Sequence, residues 1–439
     1  MPRPISDPNR LRIAWLIYRG NPHCGGQGVY TRYVARELAE LGHEITVFSG
    51  QPWPELDDPQ QLIKVPGLDL YPRDNPFRTP WPWEFRNRID LGEYAIMAGA
   101  GFPEPWAFSQ RMRRILHTRR SDFDVIHDNQ CLGSGLLGVM DDGFPLLATL
   151  HHPITVDRDI DLAHTRGRWK RFTLQRWYNF LHMQMRVARQ IPKLVTVSNN
   201  SREDITEQMG IASERMSIVP VGVDEDVFRP LPHVARVPGR LMTTASADVP
   251  MKGLVPLLEA VAKVRAERPE VTLVIIGRPR DRSTVPALIE QLGLTQAVQW
   301  VSGVEQSRIV ELYAECEVAV VPSLYEGFSL PAIEAMACGV PVVTTTGGAI
   351  PEVVGPDGVA ARTVTPGDPE ALAAALLETL SDAETRARLG VAGRERVLGN
   401  FTWRRCAEGI VDAYRELLTE HPEGGRAPYI DARPGATAC

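Results

Sequence analysis

Two carboxylates, one ammonium and three glycine loops carry the chemistry that this sequence can be read for. Glu326 and Glu334 fall in the stretch 318–346, VAVVPSLYEGFSLPAIEAMACGVPVVTTT, close enough in the chain to line one crevice. Between them, a strand-to-helix turn aims the free backbone N–H groups around Phe328, Ser329 and Leu330 beyond the carboxyl edge of a sheet, which makes an anion site. Lys252, beside Gly253 at the opening of a helix, supplies an ammonium that can neutralise a phosphate. Gly347 and Gly348 allow a close backbone approach, and Gly26 and Gly28 form a loop after the first strand, where such sheets face ligand. His151 and His152 follow a strand end, placed to donate to a substrate oxygen or to shuttle a proton; a bond to a loop carbonyl is the plainer reading, more so for His152.

The elements that position these residues alternate as β and α. Buried strands are expected at 13–18, 45–49, 125–127, 146–150, 194–197 and 217–219, then at 241–244, 271–276, 298–301, 318–321 and 340–344. Amphipathic helices at 29–41, 202–209, 254–267 and from Pro331 lie between them, with helical runs at 369–398 and 402–418. Two parallel α/β domains follow: an N-terminal Rossmann-like domain over 1–230, a prolyl linker at 229–240 and a second Rossmann-like domain over 241–398. A C-terminal helix occupies 399–420, and the Gly/Pro-rich tail 421–439 reads as disordered. The dinucleotide motif fails on spacing, since Thr31 takes the third glycine position and 48–50 offers no acid for a ribose.

Three stretches fall outside that alternation. Residues 51–120 loosen into Pro- and Trp-rich sequence (Trp53, Trp81, Trp83, Trp106), a surface for an acceptor with a stacking or apolar face, or aromatics that pack a long insertion. Asp157, Asp159 and Asp161 in DRDID lack the glycine and glutamate of a calcium loop and read as loop acids, solvated or facing an acceptor; no metal site is expected. Residues 166–193 hold eight Lys/Arg and no Asp/Glu among aromatics, a helix whose basic face would rest on an anionic membrane surface or an acidic acceptor, or would be an ordinary half-buried face.

Composition bounds these readings. The chain has 439 residues, enough for two domains, and a net charge of −6 that disfavours nucleic acid as a partner. Its six cysteines lack CxxC spacing, and the apolar run at 13–18 is too short for a leader or a span, so a cytoplasmic protein is expected.

With EGFSLPAIE at 326–334, Lys252-Gly253, the loop 25–28 and Gly347-Gly348 in hand, the chain resembles the family-4 glycosyltransferases, retaining enzymes of the GT-B fold, over roughly 11–418. The resemblance implies that Glu334 holds the ribose of a nucleotide-sugar and that Glu326 bonds the transferred sugar. It further implies that Lys252 neutralises the diphosphate, and that the amides of Phe328, Ser329 and Leu330 touch sugar or phosphate. Gly26 and Gly28 would close over the diphosphate, and His151 matches the family histidine near the sugar. No cofactor is implied beyond the donor, a UDP-sugar with GDP- and ADP-sugars as alternatives, and the acceptor would be a glycan, a lipid or a small molecule. The family's arginine six positions before the lysine is replaced by Ser246, and Arg278 or Arg280 would supply the missing charge from the loop after the strand 271–276. Two other readings stand beside this one: a non-catalytic nucleotide-sugar-binding protein, and a glycoside hydrolase using Glu326 and Glu334.

Overall fold

A computed structural model describes residues 10–22, 26–72, 74–165, 167–244, 249–279 and 283–433, apart from the side chains at 157, 160 and 164. It divides into two compact units. One is built from the residues up to 197, 201–219 and 406–433, the other from 198–200 and 220–405.

Unit 1 is organised on β1 (Arg12–Ile17), β2 (Glu44–Ser49), β3 (Leu62–Lys64), β4 (Val125–Asn129), β5 (Leu146–Leu150), β6 (Lys193–Thr196) and β7 (Met216–Ile218). They form one sheet in the order β3-β2-β1-β4-β5-β6-β7, with every pair parallel. Ile13 lies beside both Ile45 and Val125 in register. All residues of β4, β5 and β6 are buried, as a strand covered on both faces requires.

The last helix, Trp403–Glu420, delivers Tyr414 into this unit. The Tyr414 hydroxyl lies 2.7 Å from His127 Nδ1, while Thr149 Oγ1 lies 2.7 Å from Nε2, and the imidazole stacks on Trp15 at 4.0 Å. Burial holds the His127 pKa well below its ordinary value, so the ring is neutral and its two nitrogens take one donor and one acceptor role.

Unit 2 is organised on β8 (Arg240–Thr244), β9 (Thr272–Ile276), β10 (Val298–Val301), β11 (Val318–Val321), β12 (Val342–Thr345) and β13 (Arg362–Val364), in the order β10-β9-β8-β11-β12-β13. Again every pair is parallel. The strand order reverses between β8 and β11, so the loops leaving those two strands flank a crevice at the carboxyl edge, the place where open α/β sheets bind ligands.

Four expectations need correction. The stretch 229–240 is no free linker: Leu231 packs on the core of unit 2, Val237 N donates to Glu315 O at 2.7 Å, and Arg236 donates to the carbonyls of Cys316 and Gly339, while Val223 and Phe228 just before it are already core residues of unit 2. The boundary therefore lies near 220, where apolar side chains begin to be claimed by the second core.

Residues 421–433 are held to unit 1 and do not hang free. Ala427 N donates to Gln190 O at 2.8 Å, Ala432 N to Gly210 O at 2.9 Å, and the buried Arg189 meets Tyr429 Oη at 2.8 Å and Asp431 Oδ2 at 2.9 Å. A buried guanidinium left without its carboxylate would cost several kcal/mol, which is what fixes this segment.

The DRDID acids lie on a helix, Thr155–His164, where Asp159 pairs with Arg158 and Asp161 accepts from Tyr178 Oη at 2.7 Å. The basic stretch is two helices, Arg168–Trp177 and Phe180–Ala188; Trp177 and Phe180 pack on Phe102, while Trp169 is 73% and Phe172 48% exposed. Among the described residues no helix is long and apolar enough to cross a membrane.

Candidate functional site

Three loops at the carboxyl edge of unit 2 are stitched together by backbone contacts, and glycines make this possible. After β8, the one-turn helix Pro250–Lys252 ends at Gly253 with φ 64°, and a Cβ there would lie 1.8 Å from the carbonyl oxygen of Pro322. Leu324 N donates to Met251 O at 2.7 Å, so the lysine loop rests directly on the loop that leaves β11. The paired glycines approach from the other side: a Cβ on Gly347 would meet Leu324 O at 2.4 Å, and one on Gly348 would meet Glu326 O at 2.3 Å. Ala349 N then donates to Glu326 O at 2.8 Å, and Thr345 Oγ1 donates to Ser323 O. Gly253→Ala is expected to destabilise unit 2 by about 2 kcal/mol or more, because the side chain meets both a left-handed backbone and a carbonyl that cannot retreat; a denaturant melt followed by tryptophan fluorescence measures it.

These loops bring Lys252 and Glu326 together. Lys252 Nζ lies 2.7 Å from Glu326 Oε1, and Ser323 Oγ donates to the same oxygen at 2.7 Å. Among the described residues both partners use Oε1, which leaves Oε2 able to accept from a ligand hydroxyl. The Glu326 side chain is 10% exposed and that of Lys252 33%, so the carboxylate is held from beneath while the ammonium keeps N–H directions open to the crevice.

Glu334 sits one turn into the helix Leu330–Ala337. Tyr313 Oη is 3.5 Å from its Oε2, a weak contact, and is also 3.4 Å from Thr244 Oγ1 at the end of β8. Burial pushes the Glu334 carboxyl up to about 7, with the Tyr313 hydroxyl opposing. At the N-terminus of that helix, Ser329 is fully buried with its Oγ lacking a hydrogen-bond partner among the described residues, Phe328 packs against Phe401, and Leu330 is 40% exposed. Arg278 is exposed in the loop after β9, one strand from β8 on the side away from β11. Ser246 and Arg280 lie outside the described residues.

The other expected residues gather at the carboxyl edge of the unit 1 sheet. Gly26 has φ 73° and caps the helix Gln27–Glu40; a Cβ on Gly28 would lie 2.2 Å from Asn21 O. Beyond β5, His151 Nε2 lies 2.8 Å from Asn129 Oδ1, its backbone N–H donates to Gln130 Oε1 at 2.8 Å, and its ring meets Tyr30 edge-on at 4.6 Å. His152 is exposed, and its carbonyl accepts from Gln130 Nε2. Burial, with a smaller contribution from His152, lowers the His151 pKa to about 3. His151 is therefore expected to stay neutral from pH 5 to pH 9 and to contribute no limb to a pH–rate profile; an imidazole NMR titration that shows it protonating near its ordinary value of about 6.5 would contradict this.

Sequence reasoning missed the residues that hold the site residues: Ser323 beneath Glu326, Tyr313 beside Glu334, and Asn129 and Gln130 around His151. Ser323 carried a faint signal, a hydroxyl in the loop directly after a buried strand. Tyr313 carried none, being one apolar-face residue of the helix Gln306–Glu315.

Comparison with known proteins adds an independent line. A family model described as glycosyl transferases group 1 matches residues 234–396, and one described as glycosyltransferase family 4 matches 24–227. A protein of Mycolicibacterium hassiacum named MMP alpha-(1->4)-mannosyltransferase is 50% identical over 409 residues, covering 93% of this chain and 98% of its own. A D-inositol 3-phosphate glycosyltransferase of Acidothermus cellulolyticus is 30% identical over 445 residues, covering 93% of this chain and 91% of its own. Among solved structures, sucrose-phosphate synthase from Thermosynechococcus elongatus superposes with a TM-score of 0.66 at 22% identity, over 94% of this chain and all of that one. HepE of Anabaena in complex with UDP superposes at 0.65 and 18% identity, over 92% of this chain and all of that one. At these identities the likeness to the solved structures shows the fold alone.

Proposed function

Because the chain belongs to the family-4 glycosyltransferases and has the GT-B fold, we propose that it transfers a hexosyl unit, with retention of anomeric configuration, from a nucleoside diphosphate sugar to a glycan hydroxyl. The observation that carries this reading is the Lys252–Glu326 pair at 2.7 Å, placed beside the strand-order reversal of unit 2. The relative that is 50% identical is named for α-(1→4)-mannosyl transfer, which makes mannose the first hexose to try and an α-(1→4)-linked glycan the first acceptor.

The residues divide the work by chemistry. As the glycosidic bond breaks, positive charge develops on the sugar and negative charge on the departing diphosphate. Lys252 and the amides of Phe328, Ser329 and Leu330 stabilise the latter, which needs no metal. Glu326 accepts from sugar hydroxyls through Oε2, and Glu334 accepts from the ribose. Gly26 and Gly28 contribute backbone amides toward the diphosphate, Gly347 and Gly348 keep the Glu326 loop in place, and His151 meets the sugar as a neutral imidazole. Arg278 takes the place of the cation that Ser246 lacks. The departing phosphate helps remove the proton from the acceptor hydroxyl on the same face. UDP-sugars are the expected donors, with GDP- and ADP-sugars as the alternatives.

A thermal-shift panel of UDP, GDP and ADP with their mannose and glucose conjugates tests the donor class, since a ligand that binds only the folded state stabilises it by an amount set by its affinity. NMR of the product anomer then tests retention. No stabilisation by any nucleoside diphosphate sugar, or a product of inverted configuration, would overturn the reading.

A further inference from the structure

Unit 1 has its own reversal of strand order, between β1 and β4. Tyr18 and Arg19 leave β1 there. The helix Glu104–His117 begins beside the loop that follows β4, where Cys131 Sγ donates to Pro105 O at 3.3 Å. Its first residue brings a carboxyl to this edge: Glu104 Oε2 lies 3.7 Å from Arg19 Nη1, beyond hydrogen-bond range.

Among the described residues, two polar atoms at this place have no hydrogen-bond partner. Glu104 Oε2 and Tyr71 Oη are both buried without a hydrogen bond, yet the Glu104 side chain as a whole is 15% exposed and Tyr71 is half-buried, so neither group is sealed in a core. Aromatic rings form the wall: Phe102 lies 5.7 Å from Tyr71 and 5.0 Å from Trp177, and Trp177 lies 5.5 Å from Tyr71. Burial raises the Glu104 carboxyl to about 8 and the Tyr71 hydroxyl upward as well, so near neutral pH both are hydroxyl donors that can also accept. Buried polar groups are nearly always satisfied in a folded protein, and open positions at a sheet's ligand edge call for a ligand that fills them.

The chemistry of the place selects the ligand. The open groups are a carboxyl and a phenol rather than a cluster of cations, so the place is not built for a phosphate. Hydroxyl-rich partners beside ring faces suit a neutral saccharide, whose hydroxyls exchange donors and acceptors while its C–H faces pack on aromatics. We propose that Glu104, Tyr71 and Arg19, against the wall of Phe102, form the subsite that binds a neutral sugar residue of the acceptor glycan. This rests on the transferase reading for the identity of the ligand. None of these residues belongs to the donor set in unit 2, and the stacked, exposed Trp81–Trp83 pair is a separate surface.

The test uses the full chain and an α-(1→4)-linked mannose oligosaccharide as the probe. Binding is measured by calorimetry without donor, and acceptor and donor KM are measured in the transfer assay. Glu104→Leu is expected to weaken saccharide binding and raise the acceptor KM by about 10- to 100-fold, because a site built to bond a hydroxyl penalises loss of its partner strongly. Donor affinity and Tm stay at wild-type values. Glu104→Gln, which restores a donor and an acceptor, is expected to recover most of the loss, and Tyr71→Phe to weaken the acceptor by about 3- to 10-fold with the fold intact. Unchanged acceptor binding in both Glu104→Leu and Tyr71→Phe overturns the subsite, as does an equal loss of donor and acceptor. If Glu104→Leu does not fold, Tyr71→Phe decides alone. Wild-type protein that binds the oligosaccharide through these residues but transfers no sugar would sink the transferase reading and leave the subsite standing.

Discussion

Lys252→Ala is expected to lower kcat by about 10²- to 10³-fold, the range associated with removing one preorganised group that stabilises developing negative charge. The argument is geometric. The ammonium is fixed by Glu326 at 2.7 Å, on a loop that Gly253 seats against Pro322, so little reorganisation is needed when the leaving diphosphate gains charge. The same change also strips the buried Glu326 carboxylate of its counter-charge, so a drop in Tm accompanies the loss, modest because Lys252 is one-third exposed. Lys252→Arg separates the two effects: it keeps the positive charge but replaces a compact ammonium with a planar fork, so Tm should recover further than kcat. A Lys252→Ala enzyme with wild-type kcat would refute the role.

The second large effect is a pH dependence written into Glu334. Burial lifts this carboxyl from 4.5 to about 7, so the fold binds its proton more tightly than the unfolded chain does. The stability contributed by the protonated group is therefore fully present below about pH 4.5 and is lost as pH rises through about 7, an effect of up to about 3 kcal/mol in the unliganded protein. Donor binding runs the opposite way. Ribose hydroxyls donate to the ionised carboxylate, so affinity for a nucleotide-sugar should rise about tenfold for each pH unit below about 6 and level off above about 8. A nucleotide-sugar is the proper probe, because its diphosphate is esterified at both ends and does not titrate in this range. Glu334→Gln should bind more weakly and lose the slope. Calorimetry at several pH values reads both; a wild-type affinity flat from pH 5 to pH 8 would count against the ribose assignment.

How much of this was legible in the sequence depends on where each signal resides. The strand Val318–Val321 and the helix Leu254–Glu267 were delimited to the residue, because a β-branched run stopped by proline and an apolar helical face opened by glycine are complete within the chain segment itself. The short edge strands Leu62–Lys64 and Arg362–Val364 were not seen, since three residues carry no period and their pairing is supplied by a neighbour. The helices Arg88–Ala98 and Glu104–His117 were lost in the Pro- and Trp-rich stretch 51–120 for a related reason: prolines and tryptophans around them mask the apolar face that tertiary contacts select. In the site, Lys252, Glu326, Gly347 and Gly348 could be grouped from sequence because all lie just after strands. What held them was harder to read: Ser323 reaches Glu326, three residues on, through the conformation of their shared loop, and Tyr313 reaches Glu334 from another helix, a contact that exists only in the folded unit.

The Tyr414 hydroxyl that meets His127 has a consequence for how the chain is made. A ribosome releases residues in order, and the sheet of unit 1 is finished at β7 well before residue 414 leaves the tunnel. Until then the side of His127 that Tyr414 covers is bare, and all of 220–405 must be synthesised in the interval. The first unit to emerge is thus the last to be completed. Its nascent form waits, with apolar surface uncovered, for the far end of its own polypeptide, and this is the window in which a chaperone has most to offer.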